Sequence, residues 1–107
     1  MPESTDRWTL DFQPANQGET ARLVISGEFD MAPVPAFEAQ MARLRDEKTP
    51  VVVDLRGLTF LDSCATCSLV RAAWRAPEVR MVRPEGRAWG VIELSAMDRE
   101  LPWVAAS

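Results

Sequence analysis

The sequence predicts one α/β domain, a mixed and mostly parallel sheet of about four to five strands with helices packed mainly on one face. Three observations carry this expectation. Short β-rich runs alternate with stretches of helical period, the order that builds a parallel sheet from strands and crossovers. An alternating segment near the start is followed directly by a second strand, so the first pair is antiparallel and the sheet mixed. At 107 residues with 47% apolar side chains, the chain suits a single modest core.

The elements follow in order. In residues 8–12, Trp-Thr-Leu-Asp-Phe alternates apolar and polar as a half-buried strand does, and Asn16-Gln17-Gly18 reads as a turn. A hairpin follows, with residues 21–26 as its second strand. That strand ends at Gly27, and Glu28-Phe29-Asp30 forms a loop with two carboxylates that enters the first helix. Over residues 34–46, Phe37, Met41 and Leu44 share one helical stripe, and Thr49-Pro50 stops the helix. Val51-Val52-Val53 is β-branched without alternation, the pattern of a central strand covered on both faces. Residues 58–61 lead into Asp62-Ser63, two residue types that cap helices, before a helix over residues 65–74 that Pro77 breaks. Residues 79–82 read as a strand, residues 84–97 as mostly helical with Trp89, Ile92, Leu94 and Met97, and residues 101–104 as a short last element. The domain is expected over residues 8–105, with residues 1–7 a polar tail.

Composition removes several classes of function. The formal net charge is −4 and the arginines are interleaved with Asp and Glu, so no stretch supplies the positive field that a nucleic acid requires. A protein partner suits such a domain better. Residues 1–7 contain no apolar run, so neither a secretory signal nor a membrane span is expected, and the default location is the cytoplasm. The chain has no histidine, which removes the usual general base and any Cys/His zinc set. No cofactor, no metal and no catalytic activity are expected.

Two segments carry a family resemblance: Leu23-Val24-Ile25-Ser26-Gly27-Glu28-Phe29-Asp30, and the run from Val51-Val52-Val53-Asp54 through Leu58-Thr59-Phe60-Leu61-Asp62-Ser63. In this order they resemble the STAS domain family, most closely the bacterial anti-sigma-factor antagonists, and a weaker likeness continues to Leu101. The resemblance implies that the Gly-Glu-x-Asp loop and the Asp-Ser helix start lie side by side. It also implies a switch, in which the module binds an anti-sigma factor that is a serine kinase and is released when that kinase phosphorylates it. Ser63 matches the phosphorylated serine, Asp30 an acidic loop residue near it, and Asp62 the aspartate before it. The docking surface so implied comprises Glu28, Asp30, Met31, Asp62, Ser63 and Thr66.

The physics of the position agrees. A serine at a helix start is exposed, fixed in orientation and next to a terminus that tolerates negative charge. Phosphate would add roughly −1.5 to −2 charges beside two carboxylates and repel a partner fitted to a neutral hydroxyl. The sequence departs from the family after Asp62-Ser63, where Cys64, Ala65 and Thr66 replace the usual small residue, glycine and leucine, and Ala65 brings a methyl group where a partner would approach. Degenerate members of the family serve as unphosphorylated adaptors in stress-signalling or transport complexes, which is the alternative function.

A third reading, from another class, is a dithiol oxidoreductase. Cys64-Ala65-Thr66-Cys67 at a helix start is the placement of a redox pair, although the aromatic and proline typical of such motifs are missing. The plainer expectation is a buried Cys67 on the inner helix face and an exposed Cys64. Trp74, Trp89 and Trp103 read as core or rim packing, and Glu28 and Asp30, without further ligands, read as solvated and not as a metal site.

Overall fold

The computed structural model describes residues 3–15, 20–76 and 78–105, with the backbone alone for Glu3 and Ser4. Its elements are β1 (Glu3–Ser4), β2 (Trp8–Gln13), β3 (Ala21–Phe29), α1 (Val34–Asp46), β4 (Val51–Asp54), β5 (Leu58–Leu61), α2 (Ser63–Arg75), β6 (Val79–Val82), α3 (Gly86–Leu94), a 3-10 turn at Met97–Arg99, and β7 (Trp103–Val104). The strands form one sheet of seven in the order β1-β2-β3-β4-β6-β7, with β5 also paired to β3. The sheet is therefore wider than the four or five strands expected. Very short strands at both edges account for the difference, one of them in the segment read as a polar tail. Pairing is antiparallel for β1-β2 and β2-β3 and parallel elsewhere, so the sheet is mixed and mostly parallel. The expected turn at Asn16-Gln17-Gly18 and the break at Pro77 lie outside the described residues.

Alternation decides which side of the sheet is covered. Leu23 and Ile25 of β3, Val51 and Val53 of β4, and Val79 and Met81 of β6 are all buried against the helices. From the helices they meet Phe37, Met41 and Leu44 of α1, Leu69 of α2 and Ile92 of α3. The intervening residues Arg22, Val24 and Val52 are only half-buried, because no helix covers the other face. β4 is central, lying between β3 and β6, but it is covered on one face only. Its β-branched run expresses strand propensity and not double coverage.

The open face carries one tight ionic cluster. Asp54 is 4% exposed and accepts from Arg22 Nη2 at 2.9 Å and from Arg56 Nη2 at 2.7 Å, with the Arg56 backbone amide adding a third donor at 3.1 Å. The Arg56 guanidinium, outweighing the opposing effect of burial, holds the Asp54 carboxyl down at about 2. This clamp ties the end of β4 to β3 and shapes the turn that follows.

β3 departs from the expected loop. It continues through Gly27 to Phe29, so Glu28 and Phe29 belong to the strand. Gly27 has φ 85°, and a methyl group on it would collide with the Arg7 carbonyl. The glycine thus makes a bulge rather than a turn: β3 pairs with β4 up to Val24, and its register shifts between Gly27 and Glu28 where it pairs with β5. β4 and β5 run along the same side of β3, interrupted by Leu55-Arg56-Gly57. Since β6 pairs with β4 and not with β5, α3 packs against β5 instead.

The last third of the chain holds two more departures. α3 stops at Leu94, short of the expected residue 97, because Ala96 takes a left-handed conformation with φ 60°. Leu94 is consequently 90% exposed. Trp89 and Trp103 meet edge to face at 5.3 Å and form rim packing as expected, whereas Trp74 is 74% exposed near the end of α2.

Candidate functional site

The carboxyl ends of β3 and β5 converge on one point. Phe29 is fully buried and lies edge to face with Phe37 at 5.4 Å, which pins the end of β3 to α1. Phe29 pairs with Leu61 in parallel register, and the Asp62 amide donates to the Phe29 carbonyl at 3.2 Å. Asp30 and Asp62 therefore follow as neighbours where the two strands end, the location at which open α/β sheets place their functional residues. Asp30 Oδ1 accepts from the Ala32 amide at 2.9 Å, shaping the turn that leaves Met31 71% exposed.

Asp62 is the N-cap of α2: its backbone is extended, and its Oδ1 accepts from the Ala65 amide at 2.8 Å. Its carbonyl accepts both the Thr66 amide at 3.0 Å and the Thr66 hydroxyl at 2.9 Å. With capping carried by Asp62, Ser63 is the first residue of the helix proper. It is exposed, and its hydroxyl has no hydrogen-bond partner among the described residues. The first amides of any helix lack intrahelical acceptors, so negative charge on Ser63 would sit in a favourable field.

Asp30, Asp62 and Ser63 thus come together, with Met31 at the adjacent turn. Glu28 does not join them. It alternates with buried Phe29 onto the open face, where Arg7 stands at 3.9 Å as an exposed and therefore weak ion pair. Thr66 is 5% exposed and bonded inward, so its side chain offers a partner almost nothing outside the cleft described next. Ala65 is fully buried, and its methyl faces the core instead of an approaching partner. The cysteines are also the reverse of the expectation: Cys67 is exposed and Cys64 half-buried, because Ala65, Leu69 and Ala72 define the inner stripe of α2.

A cleft of about 400 Å³ between α2 and the α3 end opens beside Ser63, walled by Cys67, Val70, Val91 and Met97. As walls of a cleft these residues escaped the sequence reading, which took Cys67 for a buried or redox thiol and Met97 for part of a helix. Val70 and Met97 have the apolar character of core positions, and only the early end of α3 leaves a gap between them.

A mixed sheet with helices on one face, and an exposed serine that opens an aspartate-capped helix beside an acidic turn, fit a STAS-type domain. Residues 12–103 match the STAS_2 family, described as Mlab, STAS domain, and the chain belongs to that family. Among solved structures it is similar to an anti-sigma factor antagonist from Mycobacterium paratuberculosis, with a TM-score of 0.79 and 24% identity over 96% of this chain and 90% of that one. It is also similar to the anti-sigma factor antagonist SpoIIAA in its unphosphorylated form, with a TM-score of 0.74 and 14% identity over 92% and 88% of the two chains. Among curated proteins, none matches the chain in sequence.

Proposed function

We propose that this domain is a non-catalytic regulatory module that docks onto a protein partner through Asp30, Met31, Asp62 and Ser63, and that phosphorylation of Ser63 ends the docking. The observation that carries the reading is the division of labour at the start of α2. Asp62 takes the capping bond, which leaves the Ser63 hydroxyl exposed and unengaged. The partner is an anti-sigma factor, by likeness to the two antagonists of the same fold, and the proposed switch requires that it carry serine kinase activity. In that reaction Ser63 Oγ attacks the γ-phosphorus of the kinase-bound ATP, the bond to the bridging β-γ oxygen breaks, ADP leaves, and the hydroxyl proton passes to a base of the kinase. The cytoplasm, where such a kinase finds ATP, is the matching location. Among the described residues no helix is long and apolar enough to cross a membrane.

The added phosphate stands beside Asp30 and Asp62, so the docking patch becomes repulsive without unfolding the domain. A penalty of about 3 kcal/mol weakens binding roughly hundredfold. Incubation with ATP and the candidate kinase should add about 80 Da, the mass of one phosphoryl group, to the wild type and nothing to Ser63→Ala. Ser63→Glu should bind the kinase at least about tenfold more weakly than Ser63→Ala. Equal labelling of Ser63→Ala would move the acceptor elsewhere.

A second reading is an adaptor of the same fold that is never phosphorylated. The apolar cleft between α2 and α3 favours it, since a partner side chain inserted among Val70, Val91 and Met97 needs no phosphate chemistry. Absence of any mass gain, together with loss of partner binding in Val70→Asp, is the outcome that selects it.

A further inference from the structure

Cys64 and Cys67 lie outside the docking patch, yet next to the serine it presents. They are the second and fifth residues of α2, both free thiols, with Cys67 exposed and Cys64 half-buried against the core. Cys67 walls the cleft beside Ser63, so a small oxidant reaches its sulfur from solvent. Cys64 directly follows Ser63 in the chain. Residues three apart share one face of a helix, with their Cβ atoms about 5–6 Å from each other.

Arg71 marks that face. It lines the cleft beside Ser63 and also a second one, between α1 and α2, where its Nη2 donates to Glu38 at 2.9 Å. Its guanidinium is held above the usual range, first by that bond, against the opposing effect of burial, and further by the charges of Glu38 and of both thiols. One cation therefore senses both sulfurs, which turn toward the same side of the helix.

A disulfide requires Cβ atoms about 3.5–4.5 Å apart, so closing one here draws the pair together by about 1 Å or more. The movement falls on the first turn, because Leu69 and Ala72 pack the rest of α2 into the core. Few bonds hold that turn. Asp62 accepts the Ala65 amide at 2.8 Å and the Thr66 amide at 3.0 Å, while the amides of the first helical residues have no acceptor within the helix. Strain of this kind leaves a disulfide easily reduced, which suits a regulatory bridge better than a structural one.

We propose that Cys64 and Cys67 form a reversible disulfide that unwinds the first turn of α2 and so alters how Ser63 is presented. The oxidant is a peroxide. Cys67 Sγ attacks one oxygen of hydrogen peroxide, the O–O bond breaks, and the departing hydroxide takes the thiol proton as a first water. Cys64 Sγ then displaces hydroxide from the sulfenic acid at Cys67, and its own proton leaves with that hydroxide as a second water. The two sulfurs together give up the two electrons that reduce the peroxide, and a dithiol reverses the change. The effect on docking rests on the reading of Ser63 given above; the disulfide does not.

The full chain, reduced and then treated with one equivalent of hydrogen peroxide, should lose about 2 Da, and neither thiol should react with iodoacetamide until dithiothreitol is added. Cys64→Ser and Cys67→Ser should each abolish the loss. A gain of about 16 or 32 Da with Cys64 still open to alkylation, or a dimer linked through Cys67, would overturn the proposal. Asp62→Ala reports on the turn: it should lower the melting temperature of the reduced protein and leave that of the oxidised protein unchanged. An equal fall in both would mean that the turn stays wound, and would also overturn the proposal. Oxidised protein freed of peroxide should be phosphorylated by the candidate kinase at least about tenfold more slowly than reduced protein, and equal rates would remove the switch. No labelling in either state would strike the docking reading alone, with mass and melting still deciding the disulfide.

Discussion

Replacing Asp62 by alanine removes the carboxylate that accepts the Ala65 amide at 2.8 Å, and a lost N-cap costs about 1 kcal/mol. Urea unfolding should show that loss for Asp62→Ala and only a few tenths of it for Asp62→Asn, which keeps an accepting oxygen. Asp54 sets a separate expectation in pH. Its carboxyl is depressed from 3.8 to about 2 in the folded state, so the stabilisation is present above pH 4 and is lost as the pH falls through the folded value. The amount is about 2 kcal/mol at neutral pH. Chemical denaturation between pH 5 and pH 2 should therefore show a steeper decline for the wild type than for Asp54→Asn, which has no carboxyl to titrate. Most of the site is legible in the sequence at this scale. Asp30, Asp62 and Ser63 lie together as the motifs imply, while the displacement of Glu28 onto the open face follows from a strand parity that shows only once β3 is known to run past Gly27.

Among the elements, those with strong periodicity are legible to the residue. α1 spans Val34–Asp46 and β6 spans Val79–Val82, as the stripe of Phe37, Met41 and Leu44 and the apolar run at Val79 indicate. The misreadings share a physical origin in long-range pairing. Gly27 carries the local signature of a turn, and only its partners on both sides, the Arg7 carbonyl and the Gly57 carbonyl that accepts its amide at 3.0 Å, turn it into a bulge inside a strand. Gly27→Ala should lose 2 kcal/mol or more, on the order expected for a methyl forced into a positive-φ position against backbone, and thermal unfolding would register it. Cys64 and Cys67 exchange their expected environments for a related reason: the helix phase is set by Ala65, Leu69 and Ala72, whose packing no short motif reveals.

At the scale of the whole molecule, the class of fold is readable because strand and helix signals alternate cleanly, but the width of the sheet is not. Two-residue edge strands such as β1 and β7 have no periodicity to detect, and their existence depends on the neighbours that pair with them. The open sheet face is likewise invisible in a β-branched run such as Val51-Val52-Val53, where strand propensity and burial are confounded. All three helices on one side place both clefts along α2, and Arg71 lines each of them.

The interruption at Leu55-Arg56-Gly57 also partitions the molecule in time. β4 is held between two strands, whereas β5 hangs on β3 alone below the bulge, with a helix where another strand would be. Backbone amides of β5 and the first turn of α2 then belong to a unit able to open without the central sheet, and in deuterated water they should exchange faster than those of β4. Ser63 opens the helix of that unit, so its own amide should exchange with those of β5, ahead of the central strands.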